Sequence, residues 1–165
     1  MLPLTLLASQ KLSDLLTTNS ALAQAVESMA LSGQTVVPVV SAKQIILSSA
    51  GAEIADRDVE LTYPRVCLYT SGFKASQLEK FRSLSGTLST VAEIWMSGNL
   101  VSDTDRWIHF YVEAVSSLLR ANIGDWGDGV FFFGAYDVQF QPPKAGGLGF
   151  VQMARIRCDI TVSRN

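Results

Sequence analysis

The sequence is poor in the residues that most often carry out catalysis or bind metals. Among its 165 residues there is one histidine, His109, and there are two cysteines, Cys67 and Cys158. The cysteines lie far apart and form no CxxC pair, so the spacing typical of a zinc or redox site is missing. We expect both to be buried thiols, with a single disulfide as the less favoured alternative.

Charge is also scarce, since 17% of the residues are charged and the formal net charge is -2. This balance does not favour the broad basic surface that binds nucleic acid. Long hydrophobic runs are missing too, because no stretch approaches the ~20 apolar residues of a membrane span. The opening MLPLTLLAS has no basic segment, and its apolar run ends after Ala8, unlike a secretion signal. We expect a soluble cytoplasmic product with no membrane partner.

The sequence does contain enough apolar residues for one folded domain. Its hydrophobic fraction of 48% is ordinary for a globular protein. A chain of this length buries roughly 70% of its unfolded surface, so its core needs no disulfide or metal. We therefore expect a single domain over residues 1–165, without internal repeats or a linker.

Two N-terminal helices are predicted within about residues 4–32. Apolar residues, mostly leucines in the first stretch, recur there at helical spacing on both sides of the polar pair Asn19 and Ser20, which are good N-cap types. The following TVVPVV is rich in β-formers, but Pro38 confines it to a sheet edge or an irregular extended segment. From Ser41 to Asp58 the pattern is weak, so short helical turns and loop are equally possible and the role stays open.

Two further helices are predicted by N-terminal capping patterns, in which a serine side chain satisfies free backbone N–H groups. Ser76 with Glu79 predicts a short helix that ends near Ser83. Ser102 with Asp105 opens the longest predicted helix, whose apolar and polar residues form two separate stripes.

Strands are predicted where apolar and polar residues alternate. The segments are YPRVCLYT and residues 88–96, 130–140 and 150–163, within an α+β core covering about residues 63–163. In the last strand, Arg155, Arg157 and Asp159 fall on the face opposite the apolar residues. The predicted fold is α+β: a largely antiparallel sheet with helices packed on one face and a long extended hairpin loop.

The tip of that hairpin, Pro142–Gly149, is rich in proline and glycine. Closely spaced glycines also occur in phosphate-binding loops, but those loops run into a helix and here a strand follows. We therefore expect a mobile or contact-forming tip that presents Lys144, Gly146, Gly147 and Leu148.

The few candidates for chemistry form no reactive constellation. His109 precedes Glu113 by four residues on the polar helix stripe, which an exposed helical pair explains. Asp125 and Asp128 lack the further oxygen ligands of a calcium loop and favour a turn in which Trp126 anchors the packing. We predict no catalytic residue, no metal and no cofactor. A small α+β enzyme and a ligand-binding domain stay as alternatives.

Glu93 and Trp95 lie on the nominally polar face of their strand. An exposed aromatic side chain favours a subunit interface. The alternative, a second small core under the N-terminal helices, stays open at this point.

Arg155 and Arg157, with Lys144 nearby, raise the possibility of direct contact with nucleic acid. Asp159 on the same face dilutes that charge. Alternating charges on a strand are more typical of cross-strand ion pairs or a solvated face.

The order of these pieces is informative as a whole. The pieces are YPRVCLY, FRSLSG, TVAEIWMSG, WIHFYVEAVSSLLRAN, a Gly/Asp break and a long hairpin ending in ARIRCDITV. In this order the chain, from about Tyr63 to Ser163, resembles the tail-terminator family of tailed bacteriophages, also called tail-completion or neck proteins. The specificity lies in the order, since no single piece is a sharp motif.

The resemblance implies a structural subunit of a ring, typically hexameric. Such a ring caps the tail tube, ends tube polymerisation and presents the surface that joins the head. The implied partners are the tail tube protein and a head-closure or connector protein, and the genome DNA passes through the lumen without sequence-specific binding. The family has no known catalytic activity or required cofactor. The expected location is the virion neck, after synthesis in the host bacterial cytoplasm. Another neck protein, a head-closure or adaptor protein, is the main alternative.

Family members use sheet faces, strand edges and long loops to contact neighbours and the tube. The matching elements here are Leu88–Met96, Pro142–Gly149 and Phe150–Ser163. Individual contact residues do not transfer from the family. The candidate subunit or tube interface therefore consists of residues that these elements present on the polar face and at the tip: Glu93, Trp95, Lys144, Gly146, Gly147, Leu148, Arg155, Arg157 and Asp159.

Overall fold

The computed structural model describes residues 2–48, 62–76, 84–147 and 149–164. The helices within these ranges are α1 (Leu4–Thr17), α2 (Ala21–Ser32) and α3 (Val101–Ala121). The strands are β1 (Ile45–Leu47), β2 (Arg65–Ala75), β3 (Leu84–Gly98), β4 (Gly124–Gly127), β5 (Val130–Phe140), β6 (Lys144–Gly146) and β7 (Gly149–Arg164).

The strands form one sheet in the order β1-β2-β3-β7-β5-β4, with β6 paired to one end of β7. Every pairing is antiparallel except that of β1 with β2. The helices pack on one face of the sheet, where their apolar residues form a single core with those of the strands. The predicted α+β fold with a largely antiparallel sheet is confirmed.

Strand β7 lies in the middle of the sheet and shows the predicted alternation along its length. Ala154, Ile156 and Cys158 are fully buried against the helices, whereas Arg157 and Asp159 are exposed on the other face. Burying a side chain the size of Ile156 stabilises a fold by roughly 1.5–3 kcal/mol. The alternation therefore decides which face of β7 meets the helices.

The two predicted N-terminal helices are present, and the chain turns sharply between them. Asn19 and Ser20 have φ angles of 53° and 55°, in the left-handed region. Ser20 occupies the N-cap position of α2, as its residue type suggested, but its side chain makes no capping hydrogen bond. The break comes from backbone conformation, which asparagine tolerates better than most residues.

The longest predicted helix is also present, but its start differs. It begins at Val101, so Ser102 lies inside the helix and the predicted cap is wrong. Asp105 instead accepts a hydrogen bond of 3.1 Å from Nε2 of Gln152 on β7. The local capping pattern is overridden because a side chain distant in sequence supplies the donor.

The TVVPVV segment forms no strand and follows the irregular alternative. Two side chains of α3 donate hydrogen bonds to its backbone: Nε1 of Trp107 to Val36 O at 3.0 Å, and the hydroxyl of Tyr111 to Pro38 O at 2.6 Å. These bonds satisfy carbonyl groups that no sheet partner satisfies. The short helix predicted from Ser76 to Ser83 lies, apart from Ser76 itself, outside the described residues.

Candidate assembly surface

The face of the sheet opposite the core, here called the outer face, carries most of the predicted interface residues. Because paired residues on adjacent strands share a face, the register defines its rows. One row consists of Cys67, Glu93, Arg155 and Gln139, and the next of Tyr69, Val91, Arg157 and Asp137. Side chains from four strands that lie far apart in sequence therefore meet on this surface.

Glu93 is the buried acid of the outer face, with its side chain 7% exposed. Its Oε1 accepts three hydrogen bonds: from the hydroxyl of Tyr69 at 2.5 Å, and from Nε and Nη2 of Arg155 at 3.1 and 2.7 Å. A carboxylate out of contact with water is costly unless charged or polar donors satisfy it. The phenol and guanidinium supply these donors and cover the acid.

Burial and this carboxylate change the titration of both neighbours. Burial, followed by the hydrogen bond to Glu93, raises the pKa of Tyr69 to about 12. The same carboxylate raises the pKa of Arg155, chiefly through the hydrogen bond. At neutral pH the phenol is therefore a neutral donor and the guanidinium a cation.

The charged residues of the second row, Arg157 and Asp137, form an exposed ion pair. Nε of Arg157 donates to Oδ1 of Asp137 at 2.9 Å, and both side chains are about half exposed. Ser89 Oγ lies 3.4 Å from Oδ1 of Asp159, which is exposed. Exposed ion pairs contribute ~0–1 kcal/mol to stability. They can thus be exchanged for contacts with another chain at little cost to the fold.

Trp95 lies on the outer face, half-buried between its strand partners Arg65 and Met153. Its neighbours in sequence, Ile94 and Met96, are fully buried on the core face. The alternative of a second core under the N-terminal helices is therefore wrong, because those helices pack on the opposite side of the sheet.

The glycine-rich hairpin continues the sheet at one end. Lys144 pairs with Val151, and Gly146 pairs with Gly149. Since Val151 alternates onto the outer face, Lys144 lies on that face as well. Lys144 and Gly147 are exposed. Leu148, also predicted as an interface residue, lies outside the described residues.

The sheet ends in two different edges, each only partly paired within the described residues. β1 pairs with β2 only from Val66 to Leu68. β4 pairs with β5 only from Val130 to Phe132, and the exposed Phe133 follows directly. Unpaired strand edges present rows of backbone N–H and C=O groups that can pair with another chain.

The residues considered for catalysis do not come together. The ring of His109 packs on that of Phe140, with 4.6 Å between centroids. Glu113 binds Arg120 at 2.7 Å, so the expected pairing with His109 is wrong. Arginine keeps its charge at every physiological pH and lies within reach of this carboxylate, which explains the preference.

The turn predicted over both aspartates is confirmed only in part, because Asp125 lies in β4 and Asp128 in the turn that follows it. Their carboxylates have separate partners. Oδ1 of Asp125 accepts the backbone N–H of Gly127 at 2.7 Å, whereas Asp128 binds Nζ of Lys11 at 2.7 Å. Within the described ranges, no three or more His, Cys, Asp or Glu side chains are grouped so that they could hold a metal ion. The same ranges contain no helix with the length and apolar character needed to cross a membrane.

Both cysteines are free and buried, as predicted. Burial is the largest cause that raises the pKa of each thiol, to about 12 for Cys158. A thiol held protonated is a poor nucleophile. Cys158 therefore acts as a core side chain, and Cys67 as a buried side chain of the outer face.

Tyr69 and Asp137 are the surface residues that sequence reasoning missed. Each follows the alternation of its own strand, so the pattern could have placed them on the polar face. Their partners, Glu93 and Arg157, depend on register between strands, which no pattern within one strand determines.

Comparisons with protein-family models and with curated proteins gave no match.

Proposed function

We propose that this protein is a structural subunit of a ring that caps the tail tube of a bacteriophage, ends tube polymerisation and provides the surface that joins the head. The supporting observation is that the sheet ends in two unlike edges, β2 beyond Leu68 and β5 beyond Phe132, each without a described partner. In a closed heterologous ring each subunit presents different surfaces to the preceding and following copies. The order of sequence elements, which resembles the tail-terminator family, supports the choice of a phage tail.

The outer face supports the proposal through its mixture of fixed and exchangeable charges. Arg155 is held in place by the buried Glu93, so little side-chain entropy is lost when another chain binds it. Arg157 and Asp137 form an exposed pair that a partner can replace. We assign the outer face, together with Lys144, to contacts with a neighbouring subunit or with the tube.

The direct test mixes the purified protein with tubes assembled from tail tube protein. Negative-stain images are expected to show a ring at one tube end, and light scattering is expected to show that capped tubes no longer elongate. A head-closure protein leaves elongation unchanged. Normal elongation at saturating protein, with no particle at either tube end, would show that the proposed function is wrong.

A charge reversal tests the outer face separately. Arg157→Glu is expected to lower ring formation at least tenfold, measured by light scattering coupled to size-exclusion chromatography. Arg106→Glu makes the same charge change at an exposed position of α3 and serves as the control. Equal ring formation by both variants would show that the outer face is not part of the subunit interface.

The hairpin has its own test. Deletion of residues 144–149 is expected to leave a folded monomer, because β6 pairs only with the end of β7 and contributes little to the core. Circular dichroism checks the fold, and light scattering gives the mass. An intact ring after this deletion would mean that the hairpin has no role in assembly.

A further inference from the structure

The end of the outer face that carries Trp95 has an apolar centre. Trp95 lies opposite Met153, and Val151 precedes Met153 by two residues on the same face of β7. All three side chains are half-buried, and no described helix covers them, because the helices pack on the other face of the sheet. Tryptophan and methionine are enriched where proteins bind one another. This part of the sheet can therefore bury apolar surface against a partner.

Three cations surround this centre. Arg65 is the strand partner of Trp95, Arg155 follows Met153 by two residues, and Lys144 lies on β6, which pairs with β7. With ~4.8 Å between strands and ~3.3 Å per residue, their Cα atoms lie within about 12 Å of that of Trp95. We call these five residues the Trp95 patch.

The exposed charge of the Trp95 patch is positive. Its nearest acid, Glu93, is 7% exposed and is bound by Arg155. The next acid along the outer face, Asp137, belongs to the following row and is bound by another arginine. Arg65 and Lys144 form no ion pair with a described residue. Two unpaired positive charges therefore flank the apolar centre and attract a negatively charged partner.

The acids at the start of α3 do not reverse this sign. Asp103 lies in the first turn, where the positive end of the helix dipole offsets part of its charge. Asp105 accepts a hydrogen bond from Gln152, which is buried on the core face of β7. Because α3 packs on the core face, the sheet separates these acids from the patch.

We infer that the Trp95 patch binds an acidic segment of a partner protein. An apolar side chain of that segment packs on Trp95 and Met153, and its carboxylates pair with the three cations. Arg155 loses little side-chain entropy on binding, because Glu93 already holds it with two hydrogen bonds. The inference goes beyond the proposed function and does not depend on it, since the charge of the patch is the same in any assembly.

A nucleic acid is the poorer occupant of the patch. Its affinity for proteins comes mainly from many phosphate contacts, and here three cations are available, one of which is bound to Glu93. Non-specific binding of a single strand also needs several aromatic platforms for successive bases. The patch offers one indole, and its other apolar side chain, that of Met153, is aliphatic.

The test uses two blocked peptides, acetyl-Glu-Leu-Glu-Leu-Glu-amide and the same peptide with glutamine in place of each glutamate. The indole N–H resonance of Trp95, assigned with Trp95→Phe, is expected to shift saturably with the glutamate peptide. The resonances of Trp107 and Trp126 are expected to stay unchanged. The glutamine peptide is expected to bind at least about fivefold more weakly, because each exposed ion pair changes an affinity by up to about fivefold.

A double variant removes the two unpaired charges. Arg65→Gln with Lys144→Gln is expected to weaken the glutamate peptide about tenfold, with the resonances of Trp107 and Trp126 as a check of the fold. Lys144→Gln alone changes an exposed side chain of the hairpin and is expected to weaken it about threefold.

Lys74→Gln is the matched control, because it removes the same charge from the other end of the outer face. Lys74 is exposed and pairs with Thr87, eight residues before Trp95 on β3 and so roughly 26 Å away. This variant is expected to leave the affinity for the glutamate peptide unchanged.

Three results would overturn the inference: equal binding of both peptides, no shift of the Trp95 resonance, or an equal loss of affinity in the double variant and the Lys74 variant. A ten-residue oligothymidylate is added in a separate titration. If it binds more tightly than the glutamate peptide, the patch is a site for nucleic acid and the assignment to a partner protein is wrong.

Discussion

Glu93 on β3 and Arg155 on β7 lie opposite each other, and the guanidinium donates two hydrogen bonds to one carboxylate oxygen, at 3.1 and 2.7 Å. The two partners are unequally buried, since the side chain of Glu93 is 7% exposed and that of Arg155 is 38% exposed. A freed arginine can turn towards water, whereas a freed glutamate stays buried. The pair therefore predicts an asymmetric response to mutation.

Arg155→Met is expected to lower the free energy of unfolding by about 2–4 kcal/mol, because it leaves a buried carboxylate without its cation. Glu93→Gln is expected to cost only about 1–2 kcal/mol, since the exposed part of the guanidinium recovers hydration. Urea unfolding measures both. Asp137→Asn, in the exposed pair, is the control and should cost less than about 1 kcal/mol. Equal costs for the first two variants would contradict the asymmetry.

Tyr69 is expected to lose its proton at a higher pH than an ordinary tyrosine. Its pKa is raised from 10.0 to about 12, first by burial and then by the hydrogen bond to Glu93. Because the folded-state pKa lies above the unfolded value, the stability linked to this group is fully present below pH 10 and is lost as pH rises towards 12. The difference in ultraviolet absorbance between the native protein and Tyr69→Phe follows the titration. A midpoint near pH 10, while circular dichroism reports a folded protein, would refute the prediction.

Thr90 is expected to be a site where the protein can be stabilised. It is fully buried in β3, and its hydroxyl has no hydrogen-bond partner among the described residues. Thr90→Val keeps the branched shape and removes the unpaired hydroxyl, so the free energy of unfolding should rise by about 1 kcal/mol. Thr104→Val is the matched control, because the buried hydroxyl of Thr104 donates to Val101 O at 2.9 Å. Thermal unfolding should show opposite signs for the two variants.

Gly129 and Gly147 both have positive φ angles, 78° and 61°, but their surroundings differ. A Cβ atom at Gly129 would lie 2.0 Å from the carbonyl oxygen of Ser163, whereas one at Gly147 would have no atom within 4 Å. Gly147→Ala is expected to cost about 1 kcal/mol from backbone strain alone. Gly129→Ala is expected to cost several times more in urea unfolding. Similar urea midpoints of unfolding for the two variants would show that the backbone near Ser163 moves away from a Cβ atom at Gly129 without loss of stability.

The sequence predicted strands better than helix starts, and β7 and α3 show why. The last strand was expected over residues 150–163 and runs over Gly149–Arg164 with the predicted faces. Apolar and polar residues alternate because successive side chains of a pleated strand point to opposite faces, so the sequence of the strand alone predicts its faces. The start of α3 was placed at Ser102 by a capping pattern, but Asp105 is bound by Gln152, 47 residues away. A capping pattern of four residues contains no information about Gln152, which takes the side chain of Asp105 as its hydrogen-bond acceptor.

The candidate surface was predicted in part for the same reason. Glu93, Arg155, Arg157 and Asp159 were assigned to the polar face of their strands, and the structure places them there. Their partners were not found, and neither were the partly paired sheet edges.

By itself the sequence determined the three long helices and the strands β2, β3, β5 and β7, which face of β7 is apolar, and hence the α+β class. These are local properties, because periods of 2.0 and 3.6 residues repeat within each element. The short strands β1, β4 and β6 were not predicted. Only the tertiary structure decided that β3 lies beside β7 and that Glu93 meets Arg155 from 62 residues away. Strand order and side-chain pairing depend on interactions between residues that are far apart in sequence, so they cannot be read from any single segment.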